Sequence, residues 1–190
     1  MKISNVIFLA FILAVGLTSK AEAILQLDQS FLNGSGAVAA GDLDPRLAQT
    51  FTVGLNGKLN KVNVGVDILK NAFLDIYPTT GGVPADFGSS TLASVALADV
   101  NGSGLIGVDL SPFSLNVKQG DSLAIVLHGD QIQWEAGVGN PSDYSRGAAF
   151  VADVNNGWAL NTVDQHFQTF VGNAVPEPPR QHYFSSVECP

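Results

Sequence analysis

The run Val62, Asn63, Val64, Gly65, Val66, Asp67, Ile68 decides the class of fold. Its apolar residues recur at every second position. In an extended chain successive side chains point to opposite faces, so this segment reads as a strand with one face in a core and one in water. The pattern returns around a turn: Leu115 to Val117, then Lys118, Gln119, Gly120, Asp121, then Ser122 to Leu127, with Gly120 able to supply the positive φ that tight turns need. The same reading places strands near 25–27, 49–53, 73–77, 92–97, 105–110, 132–134, 148–152 and 167–171. Glycine-rich breaks at Asn56, Gly57, at Gly81, Gly82 and at Asn101, Gly102 separate them. No segment after residue 23 carries the period of a long helix. About ten short strands at this spacing predict an all-β fold, a two-sheet antiparallel sandwich or jelly roll, in which packing two sheets face to face manages the edges.

Outward from that core the N-terminus carries an address. Lys2 supplies a positive start, residues 6–17 are almost unbroken apolar sequence, and Ala21, Glu22, Ala23 places small residues where a signal peptidase reads. The run is too short for a membrane anchor and is followed at once by Thr18, Ser19 and Lys20. Cleavage after Ala23 is expected. The chain then divides into a signal peptide at 1–23, a β-sandwich domain at 24–173 and a proline-rich, disordered tail at 174–190. Without Lys2, Lys20 and Glu22 the remainder holds seven basic and sixteen acidic residues, net −9. A phosphate backbone needs a clustered basic surface, and the basic residues here are scattered from Arg46 to Arg180, so nucleic acid is not an expected partner. Cys189 is the sole cysteine, so no internal disulfide is available and the core is expected to hold by packing.

Val175, Pro176, Glu177, Pro178 resembles the start of the PEP-CTERM sorting signal, in which this tetrapeptide precedes a membrane-spanning helix and a basic terminus and is read by an exosortase in exopolysaccharide-forming Gram-negative bacteria. Residues 179–190 contain no apolar run close to the roughly 20 residues that cross a bilayer, so the anchor half is not expected in this chain. The middle adds a likeness of its own. Ala48, Gln49, Thr50, Phe51, Thr52, Val53, then Gly57, Lys58, Leu59, and later Gly120 to Leu127, Trp158 and Asp164 to Val171 look like a β-sandwich module of exported PEP-CTERM proteins, similar in outline to galactose-binding-like jelly rolls. The resemblance implies a secreted protein, periplasmic or extracellular at the bacterial surface, in an exopolysaccharide matrix, with an exosortase as reader of the tail. It implies no activity, because fold and function are separable.

Three sets of residues bear on chemistry. Asp99, Asn101, Ser103, Gly104 matches the opening spacing of a calcium loop, where oxygen side chains converge on a hard cation. Leu110 stands where the twelfth-position glutamate belongs, which excludes an EF-hand. A looser Ca2+ site remains, with Asp99 or Asp109 and Asn101 joined by carbonyls, and with Asp153 and Asn155 as further candidates; the alternative is a polar hairpin between two strands.

The aromatic residues Trp134, Tyr144 and Trp158 form the second set. Sugar rings stack on exposed aromatic faces while neighbouring amides and carboxylates take the hydroxyls, and Gln131, Gln133, Glu135, Asn140 and Asp143 are close in sequence. Trp134 alternates with Ile132 and Ala136, which suits a core position. Tyr144 and Trp158 sit beside turn residues and are the expected platform for a polysaccharide.

The third set is catalytic. There is no G-x-S-x-G elbow, and the only cysteine is in the tail. His128 and His166 remain, the latter two residues from Asp164, where a solvated strand end is the expected reading. Glu135 with Asp143 is the carboxylate pair whose separation would test glycoside cleavage. The sequence thus predicts a non-catalytic surface or matrix protein that binds glycan. The contrasting prediction is a polysaccharide-active hydrolase or lyase on the same scaffold.

Overall fold

A computed structural model describes residues 24–34, 36–39, 46–85, 91–137, 144–153 and 157–173. Fourteen strands run through it: β1 (Ile24–Phe31), β2 (Ala37–Ala39), β3 (Arg46–Thr52), β4 (Gly57–Lys70), β5 (Phe73–Thr80), β6 (Val83–Pro84), β7 (Ala93–Ala96), β8 (Val100–Asp109), β9 (Leu115–Val117), β10 (Ser122–His128), β11 (Gln131–Glu135), β12 (Ala149–Asp153), β13 (Gly157–Leu160) and β14 (Phe167–Asn173). Among the described residues the helical content is one 3-10 turn at Ser111–Phe113. The expected signal peptide and tail fall outside the described residues, as do Asn140, Asp143 and Asn155.

The strands form two antiparallel sheets, as the alternating pattern predicts. In the first, the long strand β4 has β14 and β11 end to end on one side, with β1 and β2 beyond them, and β9 and β8 on the other. The second runs β13, β12, β3, β10, β5, with β6 and β7 outside β5. Val62, Val64 and Val66 turn inward from β4 and meet Leu47, Phe51, Leu74, Ile76, Ile125 and Leu127 of the opposite sheet in one core, all fully buried. Burying a side chain of this kind contributes about 1.5–3 kcal/mol, and the loss of backbone entropy offsets most of the sum. A second, smaller cluster lies on the outer side of the second sheet, where Ala48, Tyr77, Ala124, Val126 and Phe150 pack with Ala85, Ala148 and Trp158.

Two local expectations are corrected. The segment 115–127 has the turn read from Gly120, whose φ is 94°, but the flanking strands are not a hairpin. β9 pairs with β4 in one sheet while β10 pairs with β3 and β5 in the other. The turn carries the chain between layers, so Val117 and Leu123 enter the same core from opposite sides. Alternation states which residues are buried; it does not state which strand is the partner. The second correction concerns Asn101 and Gly102, which lie within β8 rather than in a turn. They belong to a bulge, since Ile68 is opposite Asn101 and Val66 opposite Gly104, with Gly102 at φ 136°.

Candidate functional site

Trp134 and Tyr144 belong to the core. Trp134 is fully buried, and its indole Nε1 donates to the main-chain oxygen of His166 at 2.8 Å. Tyr144 is 7 % exposed, edge-on to Phe167 at 5.1 Å between ring centres, and its hydroxyl donates to Gln29 Oε1 at 3.0 Å. Burial pushes the Tyr144 phenol well above its ordinary range. The expectation that Tyr144 is an exposed platform is therefore overturned: its ring lies in the core with Phe31 and Phe167. A buried network fixes that segment, with Asp164 accepting from Gln49 Nε2 at 3.0 Å and from the Tyr144 amide at 3.1 Å.

Trp158 stands apart. It lies on the outer side of the second sheet, half-buried against Phe150 and Tyr77, with Nε1 donating to Ala85 O at 3.3 Å. Strand register places it in a row: Trp158 is opposite Ala152, Ala152 opposite Arg46, Arg46 opposite His128, and His128 opposite Phe73. Residues paired in register share a face, so this row crosses five strands and spans roughly 19 Å. Ala152, between Trp158 and Arg46 in the row, is buried. At the far end Phe73, 40 % exposed, stacks on His128 with ring centres 5.4 Å apart and planes 12° from parallel.

His128 is held in place from below. Its Nε2 is 3.0 Å from Asp75 Oδ2, and Tyr77 Oη reaches the same oxygen at 3.4 Å. Burial raises the Asp75 pKa, but hydrogen bonds from His128, Ser94 and Tyr77 and the charge of His128 together outweigh it, so the carboxyl titrates below its usual range. The row thus holds two aromatic rings, an arginine and a histidine, with the Asp75 carboxylate against the histidine.

Asp99 and Asp109, the two alternative anchors of a cation site, do not share one, and Asn155 lies outside the described residues. Asp99 precedes β8 and Asp109 ends it, ten positions away, roughly 33 Å along an extended strand, so one ion cannot touch both. Each carboxylate has a local task. Asp99 accepts from the Asn71 amide at 3.0 Å and from Lys70 Nζ at 3.2 Å, and Asp109 accepts from the Ser111 amide at 2.9 Å. These bonds, the backbone ones first, hold both pKa values below the ordinary carboxylate range. Asn101 sits in the bulge near Asp99. Among the described residues no group of three His, Cys, Asp or Glu side chains has metal-binding geometry.

Nor do Asp164 and His166 form a pair. Both are buried rather than solvated, at 4 % and 5 % exposure, and Asp164 faces Gln49 while His166 faces Glu135 at 3.3 Å and the Asn33 carbonyl at 3.0 Å. Ser103 Oγ donates to Glu135, so the order is serine, glutamate, histidine. A hydrolase triad places the histidine between the serine and the carboxylate, so that the imidazole can take the serine proton. Here the carboxylate separates them.

No protein-family model and no curated protein matches this sequence. Among solved structures the fold is similar to one holding the cysteine protease and lectin-like domains of Cwp84, a surface layer associated protein of Clostridium difficile, with a TM-score of 0.55 and 17 % identity over 82 % of this chain and 37 % of that one. It is also similar to the clostridial cysteine protease Cwp84 after propeptide cleavage, with a TM-score of 0.54 and 16 % identity over 79 % of this chain and 40 % of that one. This chain spans about two fifths of the neighbours' length. At these identities the likeness is one of fold.

Sequence reasoning found Trp158 but missed its companions. Arg46, Phe73, His128 and Ala152 are separated by long stretches of chain, and only sheet register aligns them.

Proposed function

We propose that this protein is an exported, non-catalytic β-sandwich of the bacterial surface or exopolysaccharide matrix, and that it binds glycan on the outer face of its second sheet. The observation that carries the reading is the row from Trp158 through Arg46 and His128 to Phe73. Aromatic faces at its two ends suit the C–H faces of sugar rings, and the polar groups between them suit their hydroxyls. The leader-like sequence at 1–23, the sorting tetrapeptide at 175–178 with its exosortase, and a fold shared with a structure that contains lectin-like domains and is surface layer associated support the setting. No helix among the described residues is long and apolar enough to cross a membrane.

The test is a glycan array on the exported protein, repeated with Trp158→Ala and Phe73→Ala. Loss of the parent's hits in both variants, with melting temperature unchanged within a few degrees, is the expected result. Retention of every hit by both variants overturns this site.

A further inference from the structure

The opposite face of the molecule carries a different row structure. On the outer side of the first sheet Ser30, Gln168, Asn63 and Gly107 lie side by side across β1, β14, β4 and β8. The next row is Leu27, Phe170, Lys61 and Asp109. Beyond a bulge follow Leu25, Gly172, Lys58 and Asn116. The first row is a continuous hydrogen-bonded ladder: Asn63 Nδ2 donates to Gln168 Oε1 at 3.0 Å, and Gln168 Nε2 donates to Ser30 Oγ at 3.3 Å. In the second row Lys61 Nζ lies 5.5 Å from the centre of the Phe170 ring. Leu25 and Leu27 are 46 % and 48 % exposed, and Lys58 is exposed.

Gly107 makes room for this arrangement. A Cβ there would stand 2.8 Å from Lys61 Cε and 3.1 Å from Asn63 Oδ1, so the lysine and the amide occupy the space a side chain would take. Gln168 and Asn63 point outward and are braced against each other. Asn63 is buried and serves as the brace, and Gln168, half-buried at the surface, is the amide a ligand can reach.

Charge selects the ligand. The chain as a whole is acidic, formally −8, yet two of its nine basic residues, Lys58 and Lys61, lie on neighbouring rows of this one face. The carboxylate on the same rows, Asp109, is engaged by the Ser111 amide. We propose that this face is a second carbohydrate site, for an anionic, uronate-containing polysaccharide. Its chain would lie across the strands with sugar faces on Phe170 and Leu27, hydroxyls on Gln168, and carboxylates at Lys58 and Lys61. Two sites on opposite faces let one protein bridge two polymer chains, and a bridge gains strength from effective concentration without new contacts.

This site is independent of the Trp158 face, and the experiment separates them. Calorimetric titration of the protein with polygalacturonate and with neutral dextran is compared for the parent, the double variant Lys58→Gln with Lys61→Gln, Gly107→Leu, and Trp158→Ala. Expected are binding of polygalacturonate but not dextran at this face, weakening by about tenfold in the lysine variant, as two exposed charge pairs would give, and a smaller dependence on salt. Gly107→Leu should weaken binding by displacing Lys61 and Asn63, while Trp158→Ala leaves polygalacturonate affinity within twofold. Absence of polygalacturonate binding at low salt, equal binding by the lysine variant, or loss of binding in Trp158→Ala alone each overturns the proposal. So does a sedimentation result showing a dimer that Leu27→Lys dissociates, since a second copy would then occupy the face.

Discussion

The indole N–H of Trp134 donates to the main-chain oxygen of His166 at 2.8 Å, tying β11 to the approach to β14 from inside the core. An aromatic ring that completes a buried carbonyl in this way is a structural member. Trp134→Phe removes that bond, leaves the oxygen with the Gly65 amide alone, and should cost about 1 kcal/mol. Trp134→Ala adds a cavity and should cost about 3–5 kcal/mol. Urea unfolding measures both, and glycan binding by the folded fraction should not change.

Trp158 behaves oppositely. Trp158→Ala should weaken glycan binding by about tenfold, near 1.4 kcal/mol, with a smaller effect on stability. With Trp134 replaced by Phe, Trp158 is the remaining tryptophan, so its fluorescence should shift on adding the glycan. An emission spectrum indifferent to saturating ligand would contradict the assignment.

The Asp75 and His128 pair gives the acid limb of stability. Asp75 has a folded pKa below its ordinary 3.8, so its contribution is fully present above that value and is lost as pH falls through the depressed folded pKa. Melting temperature followed from pH 6 to pH 2 should drop most steeply below about pH 4. In Asp75→Asn the profile should be flatter there and the protein about 1–3 kcal/mol less stable at pH 7.

Tyr144 governs the alkaline side. Burial raises its pKa far above the ordinary 10.0, so the neutral phenol stabilises the fold below pH 10 and that contribution is lost as pH rises toward the folded value. Ultraviolet titration should find one tyrosine that ionises only on unfolding. Tyr144→Phe removes the bond to Gln29 and should cost about 1–2 kcal/mol.

β1 begins at Ile24, directly after the expected cleavage site. Mass spectrometry of the exported protein should give a mature terminus at Ile24, which leaves the whole strand paired with β14. A terminus inside the strand, or an intact Met1, would contradict it.

Much of the fold was legible because burial has period two in a strand. Val62, Val64 and Val66 declare their inward side in the sequence itself, and Gly120 declares its turn, but the bulge after Val66 turns Leu69 into the core where the alternation expects Ile68. The short strands β2, β6 and β13 were not legible: two to four residues do not establish a period. Pairing was not legible either. Leu115 to Leu127 read alike whether folded as a hairpin or passed from one sheet to the other, because both options bury the same side chains. The candidate site shows the same division. The sequence determined that Trp158 sits beside turn residues and that the chain is acidic. Only the tertiary structure decided that Trp158, Arg46, His128 and Phe73 form one row, that Tyr144 is inside the core, and that Asp99 and Asp109 are a strand apart. Side-chain alternation is a local property of the backbone, whereas register and sheet order are set by contacts between residues far apart in the chain.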